Sequence, residues 1–329
     1  MKNEILTMLR EHCPDYVSGQ ALCEQFGVSR TAVWKAMKQL EKEGYVIEAV
    51  RNRGYRVTEN MDVLNQAELD NQLHFKWIAG KKVYEAVTGS TNTDLKTMAE
   101  EGAPHGTLVV AGDQQAGKGR RGRSWQVPAE KTIAMSVLLR PTFPADHASM
   151  ITLLQAYAVA LAVEDVCSVQ TRIKWPNDVV VKGKKICGIL TEMSISLEQK
   201  EIAYVIVGTG INVNIEEFPE ELQKTATSLK LETGHEVSRI AIIERVLHYF
   251  EEAYDEFEKV QNLSFMKEVY EAHMANKDRE VHVLDPQHPF DGVARGIDNQ
   301  GELLVEKQDG TVEAVYAGEV SVRGIYGYV

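Results

Sequence analysis

Cysteine is scarce in this 329-residue chain, and its four examples, Cys13, Cys23, Cys167 and Cys187, are scattered with no C-x-x-C pair. Reduced thiols explain that spacing better than a disulfide framework or a cysteine zinc site. Positive charge is outnumbered: 36 Lys and Arg stand against 48 Asp and Glu, a formal net charge of −12. A protein that coats nucleic acid through bulk charge is thereby excluded, and any DNA contact must come from a local cationic surface. No apolar run is expected to reach membrane-spanning length, and Met1-Lys-Asn-Glu-Ile5 starts no signal-peptide core, so a cytoplasmic location is expected. Repeats and low-complexity tracts are missing as well. The remainder, 44% hydrophobic and 26% charged, is ordinary soluble composition with enough length for two or three domains.

Against that acidic background one basic stretch stands out, Gly112-Asp-Gln-Gln-Ala-Gly-Lys-Gly-Arg-Arg-Gly-Arg-Ser-Trp125. In its core, Gly117 to Gly122, every residue that is not glycine is a cation. Glycine allows close backbone approach, Lys118 supplies a mobile point charge, and Arg120, Arg121 and Arg123 supply planar forks suited to carboxylate or phosphate. Ordering such residues costs roughly 1–2 kcal/mol each in backbone entropy, and a charge-assisted hydrogen bond returns only about 1.5–3 kcal/mol. The loop is therefore expected to be ordered over an anion and mobile without one. A solvated basic surface loop is the plainer alternative. Gly112 to Lys118 also fits the first seven positions of a P-loop, but Gly119 stands where Ser or Thr should hold magnesium. Gly122 and Pro128 follow, and with Gly119 they are poor material for the helix a P-loop must start.

The N-terminal region reads as helix–turn–helix with a hairpin. Residues 2–12 have helical apolar spacing, Ser18 caps a helix through Phe26, Gly27 stops it, and Ser29 caps a third helix, Arg30 to Glu43. Val33, Met37 and Leu40 share one face of that helix, while Ser29, Arg30, Thr31, Lys35 and Lys38 lie at its start or on other faces, placed to meet a DNA groove. Trp34 is either a groove contact or half-buried core. Residues 45–50 and 55–57 alternate as strands around Arg51-Asn-Arg-Gly54, a wing tip whose Arg51 and Arg53 are placed for phosphates. The alternative is a small helical interaction domain without DNA.

Residues 58–65 lose periodicity and read as a linker. Mixed α/β signals follow: strands at 82–87, 106–111, 132–139, 172–175, 179–181, 186–191 and 202–207, and helices at 90–101, 149–166 and 238–260. The helix at 149–166 is apolar nearly all round and is expected to be buried. From about residue 276, short strands at 281–284, 290–297, 302–307 and 312–322, separated by turn residues, indicate a small all-β barrel.

Besides the basic loop with Gln114, three clusters carry candidate chemistry. Ser90-Thr91-Asn92 sits at a helix start, where plain capping is the alternative. Lys174-Trp175-Pro176-Asn177-Asp178 precedes a hairpin bearing Lys182-Gly-Lys-Lys185, which alone would be a turn and a solvated tip. Gly208-Thr-Gly-Ile-Asn212 ends an apolar strand, and close packing alone would account for its glycines.

In this order the four motifs resemble those of the biotin–protein ligases, and the winged helix in front makes the chain similar to the bifunctional members that also repress biotin genes. The resemblance spans the whole chain, with Lys118 where the pattern often has Arg, and Thr209 between the glycines. It implies an α/β (α+β) multidomain fold: a winged helix-turn-helix over residues 1–60, a mixed-sheet class II synthetase-like ligase domain over 66–275, and an SH3-like β-barrel over 276–329. It implies a two-step reaction in which biotin and ATP give biotinyl-5′-AMP and pyrophosphate, and a lysine of a carboxylase's biotin carrier protein then takes the biotinyl group. ATP with Mg²⁺ as co-substrates, biotin as substrate and no tightly bound metal are implied. So are operator DNA as a partner, biotinyl-AMP as corepressor, and a homodimer when biotinyl-AMP is bound. By position, Ser90, Thr91, Asn92 and Gln114 would bind the biotin head group, and Lys118, Gly119 and Arg120 would wrap the carboxylate and adenylate phosphate. Lys185 would steady both reacting groups, making Lys185, Arg120 and Lys118 the catalytic set. Gly117, Arg121, Gly122, Arg123, Trp125 and Asn212 would serve the nucleotide, with Asp178 a candidate magnesium ligand and Arg323 a further candidate near the adenylate. A lipoate–protein ligase, which shares the adenylate chemistry, and a ligand-sensing repressor without ligase activity remain as alternatives.

Overall fold

A computed structural model describes residues 1–58, 62–125, 128–196, 201–285 and 288–317, and the strand backbone at 321–324. The chain begins with helices α1 (Lys2–Glu11), α2 (Gly19–Phe26) and α3 (Arg30–Lys42). Ser18 Oγ accepts from the Ala21 amide at 3.0 Å and Ser29 Oγ from Ala32 at 3.2 Å, so both expected caps form. Gly27, at φ +62°, turns the chain between the second and third helices. Ile5, Leu6, Leu9, Leu22, Val33, Met37 and Leu40 form their common core. Strands β1 (Ile47–Val50) and β2 (Gly54–Val57) pair antiparallel, leaving Arg51, Asn52 and Arg53 exposed at the tip. Trp34 is 52% exposed, so the half-buried-core alternative for it does not hold.

The expected linker is structured where it is described; its residues 59–61 lie outside the described residues. Asp62 Oδ1 accepts from the Arg239 amide at 2.8 Å, and its Oδ2 accepts from Arg239 Nε at 2.7 Å and Asn214 Nδ2 at 2.7 Å. Helix α4 (Gln66–Gln72), absent from the periodicity reading, carries the fully buried Glu68. The Glu68 carboxylate accepts from Tyr45 Oη, from Arg10 Nη2 at 2.9 Å and from Gln72 Nε2. Asp62 thus ties the linker to the body and the buried Glu68 ties α4 to the N-terminal helices, where a composition-based reading sees only a break in pattern.

The body is a seven-stranded sheet of order β3-β4-β7-β11-β10-β9-β8. Its strands are β3 (Lys82–Thr88), β4 (Leu108–Gln114), β7 (Thr132–Leu139), β8 (Thr171–Lys174), β9 (Asp178–Val181), β10 (Lys184–Ile195) and β11 (Ile202–Asn212). Among the described strands of this sheet only the β3–β4 pair is parallel. Alternation decides what each face meets. Leu108, Val110, Met135, Val137, Val205 and Val207 face α6 (Ala148–Cys167) and α8 (Arg239–Val260), while Val109, Leu138, Tyr204 and Ile206 face α5 (Thr91–Glu100). By length and hydropathy the Ala145–Cys167 stretch would pass for a membrane span, which corrects the expectation that no apolar run is long enough; two-thirds of it is buried inside the protein. The basic stretch forms a short hairpin, β5 (Gly117–Lys118) and β6 (Ser124–Trp125), joined by a 3-10 turn at Arg120–Gly122, and among the described residues no α-helix of the kind a P-loop requires starts there. Helices α7 (Leu229–Thr233) and α9 (Lys267–His273) complete this part.

A five-stranded antiparallel sheet of order β15-β14-β13-β12-β16 follows. It comprises β12 (Arg279–Leu284), β13 (Phe290–Ile297), β14 (Leu303–Glu306), β15 (Val312–Val315) and β16 (Ser321–Gly324). The single strand expected over 312–322 is therefore two, and they lie on opposite edges of the sheet. The side chain of Arg323 lies outside the described residues. Trp175 joins this sheet to the body: its ring is buried and Nε1 donates to the Gly301 carbonyl at 2.9 Å.

Candidate active site

The site begins with side chains that are missing. On the α5 face of the large sheet, Gly188 of β10 lies opposite Gly210 of β11, and β11 pairs Gly208 with Ser136 and Gly210 with Ala134 on β7. Five small residues on three neighbouring strands leave a depression in an otherwise bulky face. The Gly208–Asn212 motif forms the last five residues of β11, at the strand end as expected, and its glycines do serve close approach. A Cβ at Gly208 would overlap the Asn92 carboxamide, and one at Gly210 would lie 2.6 Å from Trp125 Nε1.

One end of the depression is polar. Ser90 occupies the N-cap position of α5, but its side chain caps no amide, so plain capping does not explain it. Gln114 Oε1 accepts from the Thr91 amide at 3.0 Å and lies 3.1 Å from Thr91 Oγ1. Asn92 Nδ2 donates to Glu192 Oε2 at 2.6 Å, and Ser136 Oγ lies 2.6 Å from Asn92 Oδ1.

The other end is cationic. Arg120 reaches across from the hairpin tip, Nη1 donating to Asn177 Oδ1 at 2.9 Å and Nη2 to the Ala317 carbonyl at 3.0 Å. Burial lowers its guanidinium from the ordinary value, with Asp178 opposing that shift. Lys185 Nζ pairs with Asp178 Oδ1 at 2.6 Å and lies 5.2 Å from the centre of the Trp125 ring. Lys118 and Gly119 complete the wall.

Trp125 and Lys185 also line a second cavity of about 480 Å³, walled by Ile215, Phe218, Pro219, Leu222 and Ala226. Asn212 stands in its wall with Nδ2 donating to the Thr227 carbonyl at 3.1 Å. Asn212 Oδ1 and Trp125 Nε1 are buried with no hydrogen-bond partner among the described residues. Such groups cost free energy unless something pairs with them. A polar pocket and an apolar one therefore meet at a wall made of one lysine and one indole.

Residues 84–212 match the model of the biotin/lipoate A/B protein ligase family, residues 2–56 that of an HTH domain, and residues 278–323 that of the biotin protein ligase C-terminal domain. The chain is 36% identical over 324 residues to the bifunctional ligase/repressor BirA of Bacillus spizizenii, covering 98% of each. The chain belongs to the bifunctional ligase/repressor family. With BirA of Escherichia coli it shares 28% identity over 309 residues, covering 94% of each. The biotin protein ligase from Aquifex aeolicus in complex with biotin and ATP superposes at a TM-score of 0.65 and 28% identity, covering 74% of this chain and 99% of that one.

In this ligase/repressor chain the fold gathers Ser90, Thr91, Asn92, Gln114, Lys118, Gly119, Arg120, Trp125 and Lys185 around the first pocket. It does not bring Arg121, Gly122 or Arg123 to either cavity; they are exposed at the hairpin tip, where Arg121 (φ +58°) and Gly122 (φ +71°) make the turn. Gly117 lies behind the wall, against Gln114 and the Trp125 backbone. Asp178 stands beside the pocket as the partner of Lys185. Asn177, Ser136, Glu192 and the wall from Ile215 to Ala226 escaped the motif reading; Asn177 lay within a quoted motif, but the others take their place from strand register and long-range packing. At the N-terminal end Arg30, Thr31, Lys35 and Lys38 are exposed on α3, with Lys38 bonded to Glu41 at 2.6 Å. Arg30, Arg51 and Arg53 line one groove, beside the start of α2. Ser29 is engaged as a cap.

Proposed function

We propose that this chain joins biotin to ATP in the paired pockets, transfers the biotinyl group to a carrier-protein lysine, and represses biotin genes through its N-terminal helices. The observation that carries the reading is the shared wall. Lys185 and Trp125 line both cavities, so an acid in the first and a nucleotide in the second would meet at the cations.

The ureido ring of biotin, with two N–H donors and one carbonyl acceptor, suits the Ser90, Thr91, Asn92 and Gln114 end, while its fused ring suits the bare floor. Its carboxylate would then reach Lys118, Arg120 and Lys185. An adenine placed against Trp125 would supply the donor that Asn212 Oδ1 lacks. A carboxylate oxygen attacks the α-phosphorus, the bond to the β-phosphate oxygen breaks, and pyrophosphate leaves. Two anions approach one another, so the barrier is lowered by fixed cations already in place and requires no protein nucleophile. Cys187 lies in the core on the other side of the sheet, its thiol pushed well above its ordinary pKa by burial. In the second step the neutral lysine amine attacks the biotinyl carbonyl carbon and AMP departs. Magnesium, which would shield the phosphate charge, suits delivery on ATP, with Asp178 a single carboxylate close enough to help hold it.

The same reading takes residues 1–60 as a winged helix-turn-helix, 66–275 as the ligase domain and 276–329 as an SH3-like barrel, in a cytoplasmic protein. Biotinyl-AMP beneath the 117–125 hairpin would act as corepressor by favouring a homodimer whose paired wings fit a two-fold operator. Incubation with ATP, biotin and a biotin carrier domain tests the enzyme. One carrier lysine should gain the mass of a biotinyl group, and pyrophosphate should appear even without carrier. Activity with lipoate in place of biotin would favour the lipoate-type alternative, and operator binding without pyrophosphate release the repressor-only one.

A further inference from the structure

Behind the polar end of the first pocket lies Ser136, which no motif singled out. It is fully buried on β7, opposite Gly208, with Oγ 2.7 Å from Thr91 Oγ1 and 2.6 Å from Asn92 Oδ1. Counting protons fixes what it does. Asn92 Nδ2 faces two acceptors, Glu192 Oε2 at 2.6 Å and the Leu190 carbonyl at 3.4 Å, so the Asn92 amide is held with Oδ1 towards Ser136. An amide oxygen cannot donate, so the Ser136 proton goes to Asn92. The short Ser136–Thr91 contact then needs the Thr91 proton. No hydroxyl proton is left for the longest contact, 3.1 Å between Thr91 Oγ1 and Gln114 Oε1.

We propose that Ser136 is a positioning residue for biotin recognition. It draws the Thr91 proton inward, so that Thr91 Oγ1 and Gln114 Oε1 both face the pocket as acceptors for the two ureido N–H groups. The inference rests on the reading of the first pocket as the biotin site. Gly208 is part of the same device, because its missing side chain leaves the space in which Asn92 is wedged against Ser136. Without Ser136 the Thr91 proton swings to Gln114 and removes an acceptor, and Asn92 Oδ1 is left without a donor.

The test is steady-state pyrophosphate release by Ser136→Ala in the full-length chain, with biotin and with desthiobiotin, which keeps the ureido ring and lacks the sulfur ring. The KM for both acids should rise about tenfold, the size expected for losing one buried hydrogen bond. The KM for ATP and kcat at saturating acid should not change. Ser136→Cys, with a weaker donor in the same place, should fall between Ala and the parent, and it carries the test if the Ala variant does not fold. Thr91→Val separates the two levels of the account. If it raises the biotin KM and neither Ser136 variant does, Ser136 has no such role and the pocket reading stands. If Thr91→Val also leaves the biotin KM unmoved, the pocket reading falls. A loss confined to biotin, with desthiobiotin spared, would mean that Ser136 touches the sulfur ring and would overturn the proposal.

Discussion

One methyl group at Gly210 should damage both substrate sites, and one at Gly208 should damage a single site. A Cβ at Gly210 would lie 2.6 Å from Trp125 Nε1 and 2.7 Å from Cε2, distances that real side chains do not tolerate, so the indole must leave the floor. Trp125 walls both pockets, and a Cβ built at Gly188 would lie 3.1 Å from Cζ3 at the other edge of the ring. Overpacking of this kind costs about 1–3 kcal/mol, equivalent to a KM increase of roughly 5- to 150-fold. A Cβ at Gly208 meets the Asn92 carboxamide instead, on the acid side alone. Pyrophosphate release measured against ATP and biotin separately should therefore show both KM values raised in Gly210→Ala and only the biotin KM raised in Gly208→Ala. Melting temperatures near that of the parent protein would confirm that the sheet has absorbed the change. An unmoved ATP KM in Gly210→Ala, or an ATP KM raised equally by both variants, would refute the placement of Trp125 between two substrates.

Arg120→Gly removes the guanidinium that ties the hairpin to Asn177 and Ala317, and should release biotinyl-AMP into solution. Streptavidin blots of bystander proteins should then show stray lysine labelling, and unchanged labelling would remove that role. Asp62→Ala strands Arg239, whose side chain is 5% exposed, and should cost about 3–5 kcal/mol, read by denaturant unfolding. Arg51→Ala and Arg53→Ala should each lower the slope of log K against log salt for operator binding by about 0.9 per lost phosphate contact. In Arg53→Ala the guanidinium now 4.6 Å from the centre of the Tyr16 ring is lost as well.

Local chemistry was legible in the chain where neighbours in sequence are neighbours in space. The Ser18 and Ser29 caps, the turn at Gly27 and the buried helix over 149–166 all follow from residues within one or two turns of each other, whereas the cationic stretch read as a loop and its pairing into a hairpin did not show. The polar end of the first pocket was legible because Ser90, Thr91 and Asn92 lie at a helix start and Gln114 ends a strand. The apolar wall of the second cavity was not, since Ile215, Phe218, Leu222 and Ala226 form no short-range pattern and meet Trp125 only through folding. Ser136 looked like any residue of an apolar strand; register with Gly208 gives it meaning. Arg121 and Arg123 misled in the opposite direction, because a cluster of cations says nothing about which of them turn inward. Asp62 and Glu68 were hidden for a related reason: a carboxylate in a segment without periodicity looks solvated until its distant Arg or Tyr partner is known.

The most direct test is a crystal structure with a non-hydrolysable analogue of biotinyl-AMP. The ureido ring should lie against Thr91 and Gln114, the phosphate-mimicking group among Lys118, Arg120 and Lys185, and the adenine in the cavity between Trp125 and Ala226. A nucleobase bound elsewhere, or a linking group out of reach of Lys185, would contradict the account.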